Sequence, residues 1–202
     1  MKVLTALIVT LACLVSNVVY ASDETTVSFF IRTPSDLVSV SHGGQVGFAL
    51  FPAEIPSMAG TPISNTLLLT ARVRDDKGEI SGISSELETF PDGPVTAEKI
   101  WDTYWTVVIP GRGTLYGYHQ EQLNTEIFKV MDTVHQTGQD WTGEITTRNT
   151  VGPLPEKRGL IVSGTGEFEN ATGWFVEIGT LRGYTREGDL SAELELRFTI
   201  TE

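Results

Sequence analysis

The residues placed to do chemistry in this chain are ionisable and aromatic side chains that alternate along extended segments. Between Trp141 and Val151, Thr142, Glu144, Thr146 and Arg148 share one face by the two-residue period of a strand. Gly143, Ile145 and Thr147 share the other. If the Glu144 face turns inward, a carboxylate and a guanidinium flank one pocket. Glu144 then takes or delivers a proton, its pKa raised by apolar surroundings, and Arg148 grips a carboxylate or enolate oxygen with its planar fork. If that face turns outward, the two are a surface ion pair worth about 0–1 kcal/mol, and the acid to consider becomes Glu177. Glu177 sits among Phe175, Gly179 and Leu181, where an isolated buried charge is costly. Tyr116 and Tyr118 share a face with Thr114 and Gln120, and Trp101, Tyr104 and Trp105 precede them. Rings with a polar tip suit a pocket that shapes an apolar substrate while donating one or two hydrogen bonds. Trp105 is either such a lining residue or plain core.

The composition removes several other chemistries. His42, His119 and His135 are far apart in sequence and show no histidine-ligand spacing, so no metal site and no cofactor are expected from them. His119, in a strand beside Tyr118, is the one to watch. No Gly-x-Ser-x-Gly elbow is present. Cys13 is the only cysteine, and it lies in an apolar N-terminal segment that reads as a cleavable signal peptide, residues 1–21. Lys2 supplies the positive end, Val3 to Val15 the apolar middle, and Val19-Tyr20-Ala21 the small residues before the cut. The apolar run stops at Ser16-Asn17, short of the roughly 20 residues of a spanning helix, and the surroundings of Cys13 do not fit a lipid-anchor site. The expected product is one secreted or periplasmic domain, residues 22–202, with no membrane attachment after cleavage and no disulfide. The formal net charge of −12 becomes more negative when Lys2 leaves, which argues against nucleic acid as a partner.

Strand signals dominate the elements that must position these residues. Thr66 to Arg74 runs into Asp75-Asp76-Lys77-Gly78 and resumes at Glu79, a hairpin. Leu160 to Val162 is a short apolar run, and Trp174 to Tyr184 a long strand closed by Arg186-Glu187-Gly188-Asp189. Ser191 to Thr201 puts Ala192, Leu194, Leu196, Phe198 and Ile200 on one face. A helix is expected only near Thr96–Tyr104, and Pro52–Pro62 reads as a loop. Trp174, Val176 and Ile178 oppose a second apolar face, so the outside of that strand needs a cover, from a second layer or another subunit. The pattern reads as a β-barrel or sandwich.

Leu160-Ile-Val-Ser-Gly-Thr-Gly-Glu-Phe-Glu-Asn-Ala-Thr-Gly173 resembles the signature of the allene oxide cyclase and dirigent barrel families, and Gly113–Glu121 resembles a dirigent strand. The specific part covers residues 159–184, with weaker similarity from about 100, and the N-terminal third shows none. The resemblance implies an all-β, antiparallel eight-stranded barrel. It has Phe168 plugging one end, and glycines 164 and 166 allow the tight turn. It also implies a homo-oligomer, with a trimer foremost. Its function would be to steer an apolar reactive small molecule without metal or organic cofactor, as a cyclase or isomerase (a pericyclic one included) or as a stereo-directing protein of secondary metabolism. Glu144, Arg148 and Tyr116 are the candidate catalytic residues; Tyr118, Trp105 and Glu177 are the candidate substrate contacts. The alternatives are a lipocalin-like carrier of an apolar ligand and a filled structural barrel. Asn170-Ala-Thr172 is also a glycosylation sequon.

Overall fold

A strand that buries one face repeats its apolar residues every second position, and the C-terminal strand shows how strictly this chain obeys that rule. Leu196 and Phe198 are fully buried within β12 (Leu190–Thr201), and Glu193, Glu195 and Arg197 lie on the opposite face. A computed structural model describes residues 24–42, 45–46, 65–93 and 96–201. The signal segment, its cut at Ser22 and the Pro52–Pro62 loop lie outside the described residues.

The remaining strands are β1 (Glu24–Thr33), β2 (Leu37–His42), β3 (Gln45–Val46), β4 (Thr66–Arg74), β5 (Ile80–Thr89), β6 (Trp101–Ile109), β7 (Gly113–Glu121), β8 (Trp141–Arg148), β9 (Thr150–Gly152), β10 (Gly159–Gly166) and β11 (Thr172–Tyr184). Eight of them follow one another antiparallel in the order β1-β12-β11-β10-β7-β6-β5-β4, and β4 returns to β1 at Arg74 opposite Phe30. The result is a closed antiparallel eight-stranded barrel, which removes the unpaired edges an open sheet would leave. Four further strands hang on this frame. The β2–β3 hairpin extends from β4, β8 pairs with β11 from Ile178 to Tyr184, and β9 pairs with the end of β7.

The hairpin expected at Asp75–Gly78 joins β4 to β5. The helix expected at Thr96–Tyr104 does not form. Trp101, Thr103, Trp105, Val107 and Ile109 are buried at alternate positions, so the segment from Trp101 is β6. Its Thr, Val and Ile residues are β-branched and its rings are large, which suits a pleated surface. The helix of the described residues is α1 (Thr125–Thr137), which the sequence reading missed. The Asn124 side chain caps it by accepting from the Glu126 amide at 2.7 Å. Gly138 ends it at φ 66°, and Ile127 and Val134, two turns apart, are its buried residues.

The segment Gly164–Gly173 closes one end of the barrel as the resemblance implies. A Cβ on Gly164 would stand 2.0 Å from the Phe168 carbonyl oxygen, and one on Gly166, which turns at φ 64°, would stand 2.4 Å from the Arg112 carbonyl oxygen. These contacts leave no room for a side chain. They seat Phe168 in the core, where it joins Phe29, Val107, Ile109, Leu115, Phe175 and Phe198. That end of the lumen is filled.

Outside, the apolar positions of β11 are partly covered by the chain itself. Val176 is buried, and the Arg158 guanidinium lies 4.2 Å over the Trp174 ring. On the outer face, exposed Leu68, Leu87, Tyr104 and Leu160 and half-buried Tyr118 oppose one another strand by strand.

Candidate functional site

The other half of the lumen is polar. On β5 the inward positions are Ser84, Glu86 and Glu88; on β6 they are Trp101, Thr103 and Trp105; on β7 they are Gly117, His119 and Glu121; and on β11 Glu177 follows Phe175. Four carboxyl groups and one imidazole thus converge inside the barrel. Their side chains are buried, with His119 wholly inaccessible and Glu86 and Glu88 retaining small exposure, 5% and 7%. No lysine or arginine is buried among the described residues, so no cation of the chain balances them.

Neutral donors hold each acid in place. Trp105 Nε1–H donates to Glu177 Oε2 at 3.0 Å, and Asn149 Nδ2–H donates to Glu177 Oε1 at 2.8 Å. Trp101 Nε1–H donates to Glu88 Oε1 at 3.1 Å, and the Thr103 hydroxyl to Glu121 Oε2 at 3.0 Å. The break between β8 and β9 places Asn149 and Thr150 here. The Glu177 amide donates to the Thr150 hydroxyl oxygen at 2.7 Å, and His119 Nδ1 meets the same oxygen at 2.9 Å. Gly117 makes the assembly possible, because a Cβ there would sit 2.7 Å from the Phe175 ring, whose centroid lies 5.1 Å from that of His119.

Burial governs the electrostatics. It pushes the Glu86 and Glu121 carboxyls well above the ordinary range, reinforced by the neighbouring acids, and pushes Glu88 up to about 7. Glu177 is also raised by burial, against the opposing pull of its Asn149 and Trp105 hydrogen bonds. Glu86, Glu88 and Glu121 bring carboxylate oxygens within 4.8 Å of one another. Burial lowers His119 to about 3, which leaves a neutral ring at physiological pH. Such a set can give up a proton, receive one, or bind a cation.

No family model matches the chain, and no curated protein matches it. Solved structures of dirigent proteins do. The pterocarpan synthase dirigent protein PsPTS1 aligns with 89% of this chain and 96% of its own at 11% identity and a TM-score of 0.47. The pterocarpan synthase dirigent protein GePTS1 aligns with 89% and 90% at 12% identity and a TM-score of 0.41. Neither likeness is close enough to transfer a residue or an activity. The barrel rests on its own strand pairings, and the site on its own geometry.

Of the residues expected at a site, Trp105 and Glu177 are in this cluster and hydrogen-bonded to each other. Glu144 and Arg148 are not. Their face of β8 points out, with Glu144 paired to Arg182 and Arg148 donating to the Glu156 carbonyl at 3.1 Å, while Ile145 and Thr147 take the inward parity. Tyr116 and Tyr118 are also outside, because β7 turns Leu115, Gly117, His119 and Glu121 inward. Tyr118 donates to Asp102 Oδ1 at 2.7 Å, a bond that pushes its phenol up to about 12. These four residues do not line the lumen. The sequence reading did not name Glu86, Glu88, Glu121, Asn149 or Thr150. Their signal was the alternation of Ser84, Glu86 and Glu88 in a strand, and of His119 with Glu121.

The open cavity at the opposite end, about 380 Å³, is lined by Val27, Arg112, Glu167, Phe168 and Ile200, among others. Its arginine is already paired, Arg112 with Glu167 through two 2.8 Å bonds, and it holds no cluster of buried acids like that of the polar half.

Proposed function

We propose that the chain is an exported barrel that converts a small, largely apolar molecule by proton transfer, as an isomerase or cyclase, at the polar half of its lumen. The observation that carries this reading is the convergence of Glu86, Glu88, Glu121, Glu177 and neutral His119 inside the barrel with no buried lysine or arginine among the described residues. Burying ionisable groups this way costs stability, and a barrel built only for shape would fill the space with aliphatic side chains. A carrier lumen lined by aliphatics would look the same as the Phe29–Phe198 half and not as this one. Strongly shifted acids grouped with a neutral base are the arrangement expected of a site for acid–base chemistry.

Glu88 and Glu86, at the rim of the cluster, are the groups a substrate reaches first. A carboxyl that keeps its proton near neutral pH delivers it to a developing oxyanion or alkene carbon. Glu121, with a carboxylate oxygen within 4.8 Å of one on Glu88, is the acid that replaces that proton. Trp101 and Trp105 give the substrate flat apolar walls.

The test is turnover of metabolite extracts from the producing organism, read by mass spectrometry. Wild-type protein should convert one component to an isomeric product. Glu88→Gln, which keeps shape and removes the proton, should slow that conversion by roughly 10²–10⁴-fold. Recovery of the bound molecule unchanged supports the carrier reading instead, and equal rates for wild type and Glu88→Gln remove Glu88 as the acid.

A further inference from the structure

We infer that His119, Glu121 and Glu177 form a binding site for one divalent first-row transition cation. The inference goes beyond the proposed proton chemistry and does not depend on it.

His119 Nε2 has no hydrogen-bond partner although it is buried and points into the acids. It stands 3.5 Å from Glu177 Oε2 and 3.9 Å from Glu121 Oε2. Those gaps are too long for hydrogen bonds. They do suit donors that share a metal. Ligands held about 2.0–2.2 Å from one ion are separated by roughly 3–4 Å across an octahedral or tetrahedral angle. The three donor atoms lie within 4.8 Å of one another, and Glu86, Glu88 and Glu121 form a second such group beside them. Glu121 belongs to both groups, so a cation at the first is backed by two more carboxylates.

The surroundings orient the donors. The imidazole is held through its other nitrogen, Nδ1, by the Thr150 hydroxyl at 2.9 Å. That is the outer contact that orients a ligating histidine and leaves Nε2 with its lone pair when Nδ1 carries the hydrogen. Glu177 is oriented by Trp105 and Asn149, one donor on each oxygen. One nitrogen with two or more carboxylate oxygens suits Mn²⁺, Fe²⁺ or Zn²⁺, whereas Ca²⁺ and Mg²⁺ take oxygen-only sets. The ion supplies the positive charge that no buried lysine or arginine of the described residues provides. The wide sequence spacing of the three histidines argued only against a histidine-rich site. One histidine joined by glutamates from two other positions leaves no spacing motif to find.

The test uses the full exported chain, stripped with chelator and equilibrated with Mn²⁺ or Zn²⁺ near neutral pH. One ion per chain should be retained after dialysis, and pulsed electron paramagnetic resonance of bound Mn²⁺ should show coupling to one imidazole nitrogen. His119→Gln should abolish that coupling. Thr150→Val, which leaves all three ligands in place, should weaken binding about 10–100-fold. No retained ion, or bound Mn²⁺ without nitrogen coupling in the wild-type protein, overturns the site. Coupling that survives in His119→Gln also overturns it, by assigning the nitrogen to another histidine. Because metal content is read without substrate, a chain that holds Mn²⁺ and turns over nothing keeps this inference and loses the proposed chemistry.

Discussion

The two halves of the barrel interior are built by the same strands at the same parity and do opposite things. Along β6, Val107 and Ile109 point into the closed half beside Phe168, while Thr103 and Trp101 point into the polar half. Along β7, Leu115 lies in the first half, and His119 and Glu121 in the second. The closed half repays the entropy of folding through apolar burial and packing. The polar half does the reverse, since each buried acid there is less stable ionised than it would be in the unfolded chain. One half holds the barrel shut so that the other can keep reactive groups where water would not leave them.

The largest effect should come from damaging the closed half. Phe198 stacks on Phe175 at 4.9 Å and meets Phe29 edge-on at 6.1 Å, so Phe198→Ala should cost about 3–5 kcal/mol in chemical denaturation. The polar half should behave oppositely with pH. Glu88 is raised from 4.5 to about 7 when folded. Between those values the folded chain holds a proton that the unfolded chain has lost, so stability falls as pH rises. The loss is on the order of 3 kcal/mol from this residue alone and is complete above pH 7. Glu86, Glu121 and Glu177 act in the same direction. His119, lowered to about 3, opposes them, because it is charged only in the unfolded chain between that value and 6.5. With four acids against one base, denaturation in the presence of chelator should show stability falling from about pH 5 to pH 8, and Glu88→Gln should flatten the fall. A rise over that range would contradict the account.

Next in size is the turn that seals the closed half. Gly164→Ala puts a methyl group against the Phe168 carbonyl and should destabilise by about 1–3 kcal/mol, read as a lowered midpoint. The smallest effects belong to the outer face. Glu144→Gln, Arg148→Lys and Tyr116→Phe change exposed side chains and should each shift stability by about 0–1 kcal/mol and leave turnover unchanged. A large loss of turnover in any of them would move the site out of the lumen.

The fold was legible where the inward face is apolar. The alternation of Ala192, Leu194, Leu196, Phe198 and Ile200 gave both the strand and its orientation, and the glycines of Gly164–Gly173 gave the turn. The site was illegible for the converse reason. On β5, the rule that apolar residues face inward would choose Ile83 and Leu87, which are 41% and 40% exposed, over Glu86 and Glu88, which are buried. On β7 and β8 the same ambiguity turned Tyr116, Tyr118, Glu144 and Arg148 the wrong way. Gly117 carried the parity of β7, since only an inward glycine makes room for Phe175, but that contact joins strands far apart in sequence. Helix α1 was readable from Asn124, Ile127, Val134 and Gly138 and was hidden only by the strand-rich context.

The central claim is that the polar half holds its glutamates protonated by burial in the metal-free chain. Carbon-13 NMR of the glutamate side-chain carboxyls, recorded as a pH titration in chelator, reads it directly. Glu86 and Glu121 should titrate well above the surface glutamates, Glu88 near 7, and Glu177 above its ordinary value. Titration of every glutamate within about one unit of the ordinary value of 4.3 would contradict the account.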